Sequence, residues 1–179
     1  MTVWYREGGA SKYHVDFAMF SDGDQNDDGL TRIAKGFPGS KAELKVWEVS
    51  EPERLLTVFG EKFEGDDRLQ YRRAIRYLKR WKDFQFPARG EGAPRGIGLT
   101  CAAWKWFQPS YTLDPLTGKR RDDDLKALHS LARLMLSNFV PTWTGEETVS
   151  RLATPLPVLP NDDPFLRMSD RQMGIFQGK

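Results

Sequence analysis

Residues 13–20 alternate. Tyr13, Val15, Phe17 and Met19 fall on one side and His14, Asp16, Ala18 and Phe20 on the other, the period-two pattern of a strand with one charged position inside it. Residues 2–6 read as a preceding strand, and Glu7-Gly8-Gly9-Ala10 as the turn that pairs the two antiparallel. A lone hairpin is marginal in water, so the pattern calls for more sheet. After the Gly/Pro connection at Phe37-Pro38-Gly39, residues 43–49 fit another strand. Ser50-Glu51-Pro52-Glu53 then has the form of a capped helix start and predicts a helix over 51–63.

Gly65-Asp66-Asp67 ends that helix and caps the next, predicted over 68–84. Here Tyr71, Ala74, Ile75, Leu78 and Trp81 share one face, with Arg72, Arg76, Lys79 and Arg80 on the other. Residues 90–96 form a Gly/Pro loop. Residues 97–107 are apolar nearly all round, which predicts a central buried helix, with Trp104 and Trp106 in the core and Pro109 ending it. A third long helix is predicted over 122–139, with Leu125, Leu128, Leu131, Ala132 and Met135 as its core stripe. Residues 141–160 read as irregular and proline-rich, and a short helix over 169–176 closes the chain.

A length of 179 residues suits one sizeable domain or two small units sharing an interface. No run of 18 or more apolar residues occurs, and residues 1–10 carry Arg6 and Glu7 where a leader would be apolar, so no membrane partner is expected. The single cysteine, Cys101, excludes an internal disulfide and a cysteine zinc cluster, and the expected location is cytoplasmic. The net charge of +2 hides segregation: residues 22–28 are acidic, residues 68–82 strongly basic, and Lys119-Arg120-Arg121 runs into Asp122-Asp123-Asp124. The basic run is the candidate for polyanions, and no DNA partner is expected. No Walker loop, Gly-x-Ser-x-Gly elbow or Cys/His zinc pattern is present.

Among single residues Asp16 is the most informative. A carboxylate in an apolar strand costs several kcal/mol (about 2 or more) unless paired or metal-bound, whereas on a solvent-facing side it is an ordinary polar position. The cations of the basic helix, three and four apart, can meet successive phosphoryl oxygens or can form a solvated face. Asp24-x-Asn26-x-Asp28-Gly29 matches the first half of a calcium loop, but Lys35 stands where the bidentate carboxylate belongs, so an acidic connection is the expectation. His129, close to its helix's apolar stripe, reads as a packed or boundary histidine.

Four stretches together resemble the cGAS/DncV-like nucleotidyltransferases, most closely the bacterial cyclic GMP-AMP synthase type. Tyr13-His14-Val15-Asp16-Phe17 resembles the strand holding the third catalytic aspartate, and Ser50-Glu51-Pro52 followed by Phe59 is similar to a Ser-Asp-Pro helix start. The run Tyr71-Arg72-Arg73-Ala74-Ile75-Arg76-Tyr77-Leu78-Lys79-Arg80-Trp81 resembles the family's Arg/Lys-rich helix. Leu156-Pro157-Val158 through Met168-Ser169-Asp170-Arg171-Gln172-Met173 resembles its closing segment. Members of that family make cyclic di- or trinucleotides from ATP and GTP in antiphage defence. Three carboxylates hold two magnesium ions that stabilise the attacking and leaving oxygens. The resemblance implies Asp16 as a catalytic residue and magnesium ligand, and Lys79, Arg76, Arg95 and Thr100 as the nucleotide-binding set. Arg95 stands where the family usually places a phosphate-binding serine.

The family's Gly-Ser motif and Asp-x-Asp pair precede the third aspartate, and neither occurs between Met1 and Asp16. One carboxylate cannot position two magnesium ions, so the chain alone is expected to make no cyclic nucleotide at a useful rate. Three readings follow: a nucleotidyltransferase completed by an upstream half on another polypeptide, a non-catalytic nucleotide or RNA binder, and a decayed gene fragment. The expected fold is α+β. A remnant of a mixed nucleotidyltransferase sheet over 1–64 packs on a mostly helical C-terminal domain over 65–179, itself cut short.

Overall fold

The structure, a computed structural model, describes residues 2–21, 28–36, 39–86 and 92–179, with the backbone alone at 2, 10–12 and 16. It is an α+β fold. The strands are β1 (Thr2–Glu7), β2 (Ala10–Asp16), β3 (Phe20–Ser21), β4 (Arg32–Ala34), β5 (Trp47–Val49), β6 (Tyr111–Leu113), β7 (Arg120–Asp122), β8 (Val140–Trp143) and β9 (Thr148–Arg151). The α-helices are α1 (Pro52–Gly60), α2 (Gly65–Gln85), α3 (Gly96–Trp106), α4 (Asp124–Ser137) and α5 (Asp170–Gln177). The chain divides into two compact units, Met1–Arg54 with Val158–Pro160, and Leu55–Pro157 with Asn161–Lys179. The division falls inside α1, earlier than the expected boundary after residue 64.

In the first unit the expected hairpin is present, with Gly8 and Gly9 at positive φ supplying the tight turn between β1 and β2. Tyr5 stacks on Tyr13 and Trp4 meets His14 at a tilt, each pair with ring centroids 4.6 Å apart. The strand expected to run to residue 20 stops at Asp16, because the chain changes partners there. Met19 O accepts from Ala34 N, and Phe20 and Ser21 pair with β4 in a separate sheet of order β3-β4-β5. Among the described residues every strand pair is antiparallel, so the expected mixed sheet is replaced by two small antiparallel ones. Of the strand expected over 43–49, only β5 forms. Residues Ala42–Leu44 instead make a 3-10 turn that brings the Leu44 carbonyl within 2.8 Å of where a Cβ on Gly36 would stand.

The second unit holds the core. Tyr71, Ala74 and Leu78 of α2, Leu99, Ala102 and Ala103 of α3, and Ala127, Leu131 and Met135 of α4 pack with Phe107, Phe165, Met173 and Phe176. As expected, α3 is the central helix, buried from Gly98 to Ala103, while Trp104 and Trp106 are only partly buried against that core. The stripe on α4 is a correction: Ala127, Leu131 and Met135 face inward, whereas Leu125 is 79% exposed and Ala132 is exposed.

Two further hairpins form, β8 with β9 beginning just before and lying mostly within the stretch expected to be irregular, and β6 with β7 in a stretch for which no element was expected. β6 and β7 are joined through Asp114, whose carboxylate accepts from Leu116 N and Thr117 N, with Gly118 at φ +67° completing the turn. β8 and β9 turn through Gly145 at φ +102°. Asp122 therefore ends β7 and does not open α4. Asp123 caps α4 by accepting from Lys126 N at 2.9 Å. At the far end Ser169 and Gln172 form a reciprocal capping box on α5.

Candidate phosphate-binding face

The long helix α2 buries Gln70, Tyr71, Ala74 and Leu78 and leaves Arg72, Arg76, Lys79 and Arg80 exposed. That division follows from its period: residues four apart share a side, and the buried side carries the aromatic and aliphatic positions. Asp66 and Asp67 lie in its first turn and Lys82 in its last, both favourable to the helix dipole. The helix starts at Gly65, so the two aspartates lie inside it and do not precede it as expected.

Arg73, in the middle of the basic run, is not part of the exposed stripe. Its guanidinium donates to Asp124 at 2.8 and 2.9 Å and to Asp122 at 2.6 Å. Gln70 beside it donates to Ser110 O at 2.8 Å and to Asp124 at 3.1 Å, and accepts from Ser110 N at 2.9 Å. Arg120 joins the group through Asp122 and Asp67. The Arg73 hydrogen bond holds the Asp124 carboxyl below the ordinary carboxylate value, helped by Gln70 and Tyr77. Burial works against Asp122, but the Arg120 and Arg73 hydrogen bonds outweigh it and keep that carboxyl low as well. This network is structural: it fastens α2 to β7 and to the start of α4. Sequence reasoning missed it because the partners are about fifty positions apart.

Lys79 stands beside the start of α3. A Cβ built on Gly96 would lie 3.7 Å from the Lys79 Cε, so the lysine stem runs past the first residue of that helix. Arg95 is the N-cap of α3, with extended φ of −67° and ψ of 136°, and no side chain caps the helix. The first intrahelical bond is Leu99 N to Arg95 O, so the amides of the first turn have no partner within the helix. The positive end of the α3 dipole, an exposed Arg95 and the Lys79 stem come together at one place. Such an arrangement suits a phosphate oxygen. Arg76 lies on the same exposed side of α2, one turn before Lys79.

Thr100, the remaining member of the expected nucleotide-binding set, is largely buried, and its hydroxyl donates to Gly96 O at 3.0 Å within α3. Of Asp16 only the backbone is described. It ends β2 opposite Thr2, and its carboxylate lies outside the described residues. The half calcium loop falls in part outside them, at Asp24 and Asn26. Its described member, Asp28, is held by Arg32, whose hydrogen bonds, with one from Leu30 N, bring that carboxyl down to about 2. His129 is exposed on α4, at the edge of the apolar stripe, the boundary position among the two expected for it.

Magnesium is the metal the resemblance implies. Among the described residues no three His, Cys, Asp or Glu side chains converge to hold an ion, so no step is assigned to magnesium here. Among them, too, no helix is long and apolar enough to cross a membrane. Comparison with protein-family models, with curated proteins and with solved structures gives no significant match to this chain.

Proposed function

We propose that this chain binds nucleoside triphosphates through their phosphates, as the nucleotide-holding part of a nucleotidyltransferase resembling the cyclic GMP-AMP synthases. The observation that carries this reading is Lys79 set against the uncapped first turn of α3, with Arg95 at its N-cap. A flexible ammonium and a row of amides supply point charge and directed donors to adjacent phosphoryl oxygens. Arg76 extends the positive side along α2. Asp16 would contribute one magnesium ligand, and synthesis of a cyclic product would require two further carboxylates from a segment carrying Gly-Ser and Asp-x-Asp.

Titration with a fluorescent ATP analogue, with ATP and GTP as competitors, tests the binding. Lys79→Gln is expected to weaken it by about tenfold or more, the loss of one charge-assisted contact. Binding that is absent, or that is indifferent to Lys79→Gln, overturns the reading. The chain alone with magnesium, ATP and GTP is expected to yield no cyclic product.

A second reading, a single-stranded RNA binder, draws on the length of the stripe. Arg72, Arg76, Lys79 and Arg80 are exposed over more than two helical turns, roughly 12 Å at 1.5 Å per residue. Affinity that rises with oligonucleotide length, and falls steeply with salt, would favour it over a triphosphate.

A further inference from the structure

Helix α4 is apolar on two sides. Its inner side, Ala127, Leu131 and Met135, belongs to the core. Leu125, Leu128, Ala132 and Leu136, three and four apart, make a second stripe beside it, and Leu125 and Leu136 are 79% and 55% exposed. A helix apolar on two sides is normally covered on both. The second stripe lines an open groove of about 560 Å³ together with Tyr77 and Trp81 of α2 and with Phe139 and Phe176.

The shape and the lining chemistry select the occupant. The lining comes mainly from helices α4 and α2, whose backbone groups are already bonded internally, so the groove presents side chains and no strand edge. An extended peptide laid there would bury its own unpaired amides, whereas a helix brings its backbone already satisfied. From Leu125 to Leu136 the stripe runs about 17 Å at 1.5 Å per residue, which matches just over three turns of a helix laid along it. The side chains of charged type lining the groove are His129, Arg133 and Lys179, with no acid among the lining residues. Two copies of this chain meeting symmetrically through the groove would bring basic side chains together with no acid from either lining to pair them, which disfavours self-association.

We infer that this groove receives an amphipathic protein helix whose apolar positions recur at three and four and whose flanks are acidic. Its leucine-type side chains would enter between α4 and α2, and its glutamates or aspartates would meet Arg133, His129 and Lys179. The surface is separate from the Lys79 face, and this inference does not rest on the phosphate reading.

The test uses the whole chain and two labelled synthetic peptides of four helical turns, with leucines at i, i+3, i+4, i+7 and i+11. One peptide is flanked by glutamate and the other by lysine. Fluorescence anisotropy should show the glutamate peptide binding at least about tenfold more tightly than the lysine peptide. The double substitution Leu125→Ser with Leu136→Ser, at exposed positions that leave the core intact, should abolish binding without changing the thermal midpoint. Arg133→Glu should shift the preference toward the lysine peptide. Three results would each overturn the inference: no binding of the glutamate peptide, equal binding of both, or a dimer in sedimentation that the double substitution dissolves.

Discussion

Gly98 and Phe165 are packed so closely that a Cβ on Gly98 would lie 2.5 Å from the Phe165 Cε1, and 2.9 Å from two more ring carbons. Both residues are buried, and the ring is fully enclosed by the core. Gly98→Ala therefore sets two effects against each other. Alanine is the better helix former by about 1 kcal/mol, but forcing the ring aside in a close-packed interior costs about 1–3 kcal/mol. Overpacking is expected to win, and urea denaturation should show a lower midpoint for Gly98→Ala. Gly96→Ala, whose Cβ would make an ordinary 3.7 Å contact with Lys79, should be neutral or slightly stabilising. Equal midpoints for the two variants would refute the packing described for Phe165.

Glycine 98 also shows where the sequence is legible and where it is not. The apolar run around it announced a central helix, and the buried span from Gly98 to Ala103 agrees. The reason for glycine at this position depends on Phe165, many residues away, and no local pattern carries that. The same holds for the basic run. Its period separated Arg72, Arg76, Lys79 and Arg80 from the core side, but nothing local marked Arg73 as an anchor for Asp122 and Asp124. The three consecutive aspartates read as one helix start, yet they split into a strand end, an N-cap and a first-turn ligand of Arg73. Asp114-Pro115-Leu116-Thr117-Gly118 did carry a turn signal in its Asp, Pro and Gly, and the hairpin of β6 and β7 was readable there. On α4, periodicity identified an apolar helix but could not say which of two adjacent stripes the core would use.

The Arg73 network should govern behaviour in acid. The folded carboxyls of Asp122 and Asp124 are held below the ordinary value of 3.8, so each stabilises the fold fully above that value. The contribution disappears as pH falls below about 4 and through the folded values, where protonation breaks the bonds to Arg73. Asp124→Asn is expected to lower stability at neutral pH by about 1–2 kcal/mol, since a neutral amide replaces a charge-assisted partner. It should also flatten the acid limb of the stability curve. Guanidinium melts from pH 7 down to pH 3 on both proteins provide the check, and parallel curves would remove Asp124 from the acid response.

Tyr71 is 1% exposed, between Phe63 and Phe107, and its hydroxyl has no hydrogen-bond partner among the described residues. Burial accordingly pushes that hydroxyl's ionisation well above the ordinary tyrosine value. Most core substitutions destabilise, but Tyr71→Phe keeps the ring packing and removes a buried unpaired group whose desolvation costs about 1–3 kcal/mol. The expected outcome is a neutral or raised thermal midpoint. A clear drop in the midpoint would mean that the hydroxyl has a hydrogen-bonding partner.

Arg95 offers a substitution that should move stability and binding in opposite directions. As the N-cap of α3 it has the extended backbone of a cap but no side-chain acceptor for the amides of the first turn. Arg95→Asp supplies that acceptor and places a negative charge at the positive end of the dipole, which stabilises by about 0.5–1 kcal/mol. The same carboxylate occupies the amides a phosphate would use, repels it, and removes one of the cations near Lys79. Thermal melting should therefore rise by a few degrees while triphosphate affinity falls about tenfold or more. A variant in which melting rises and affinity holds would show that phosphates bind elsewhere on α2. One in which both fall would show that Arg95 holds α3 in place through a contact of its own.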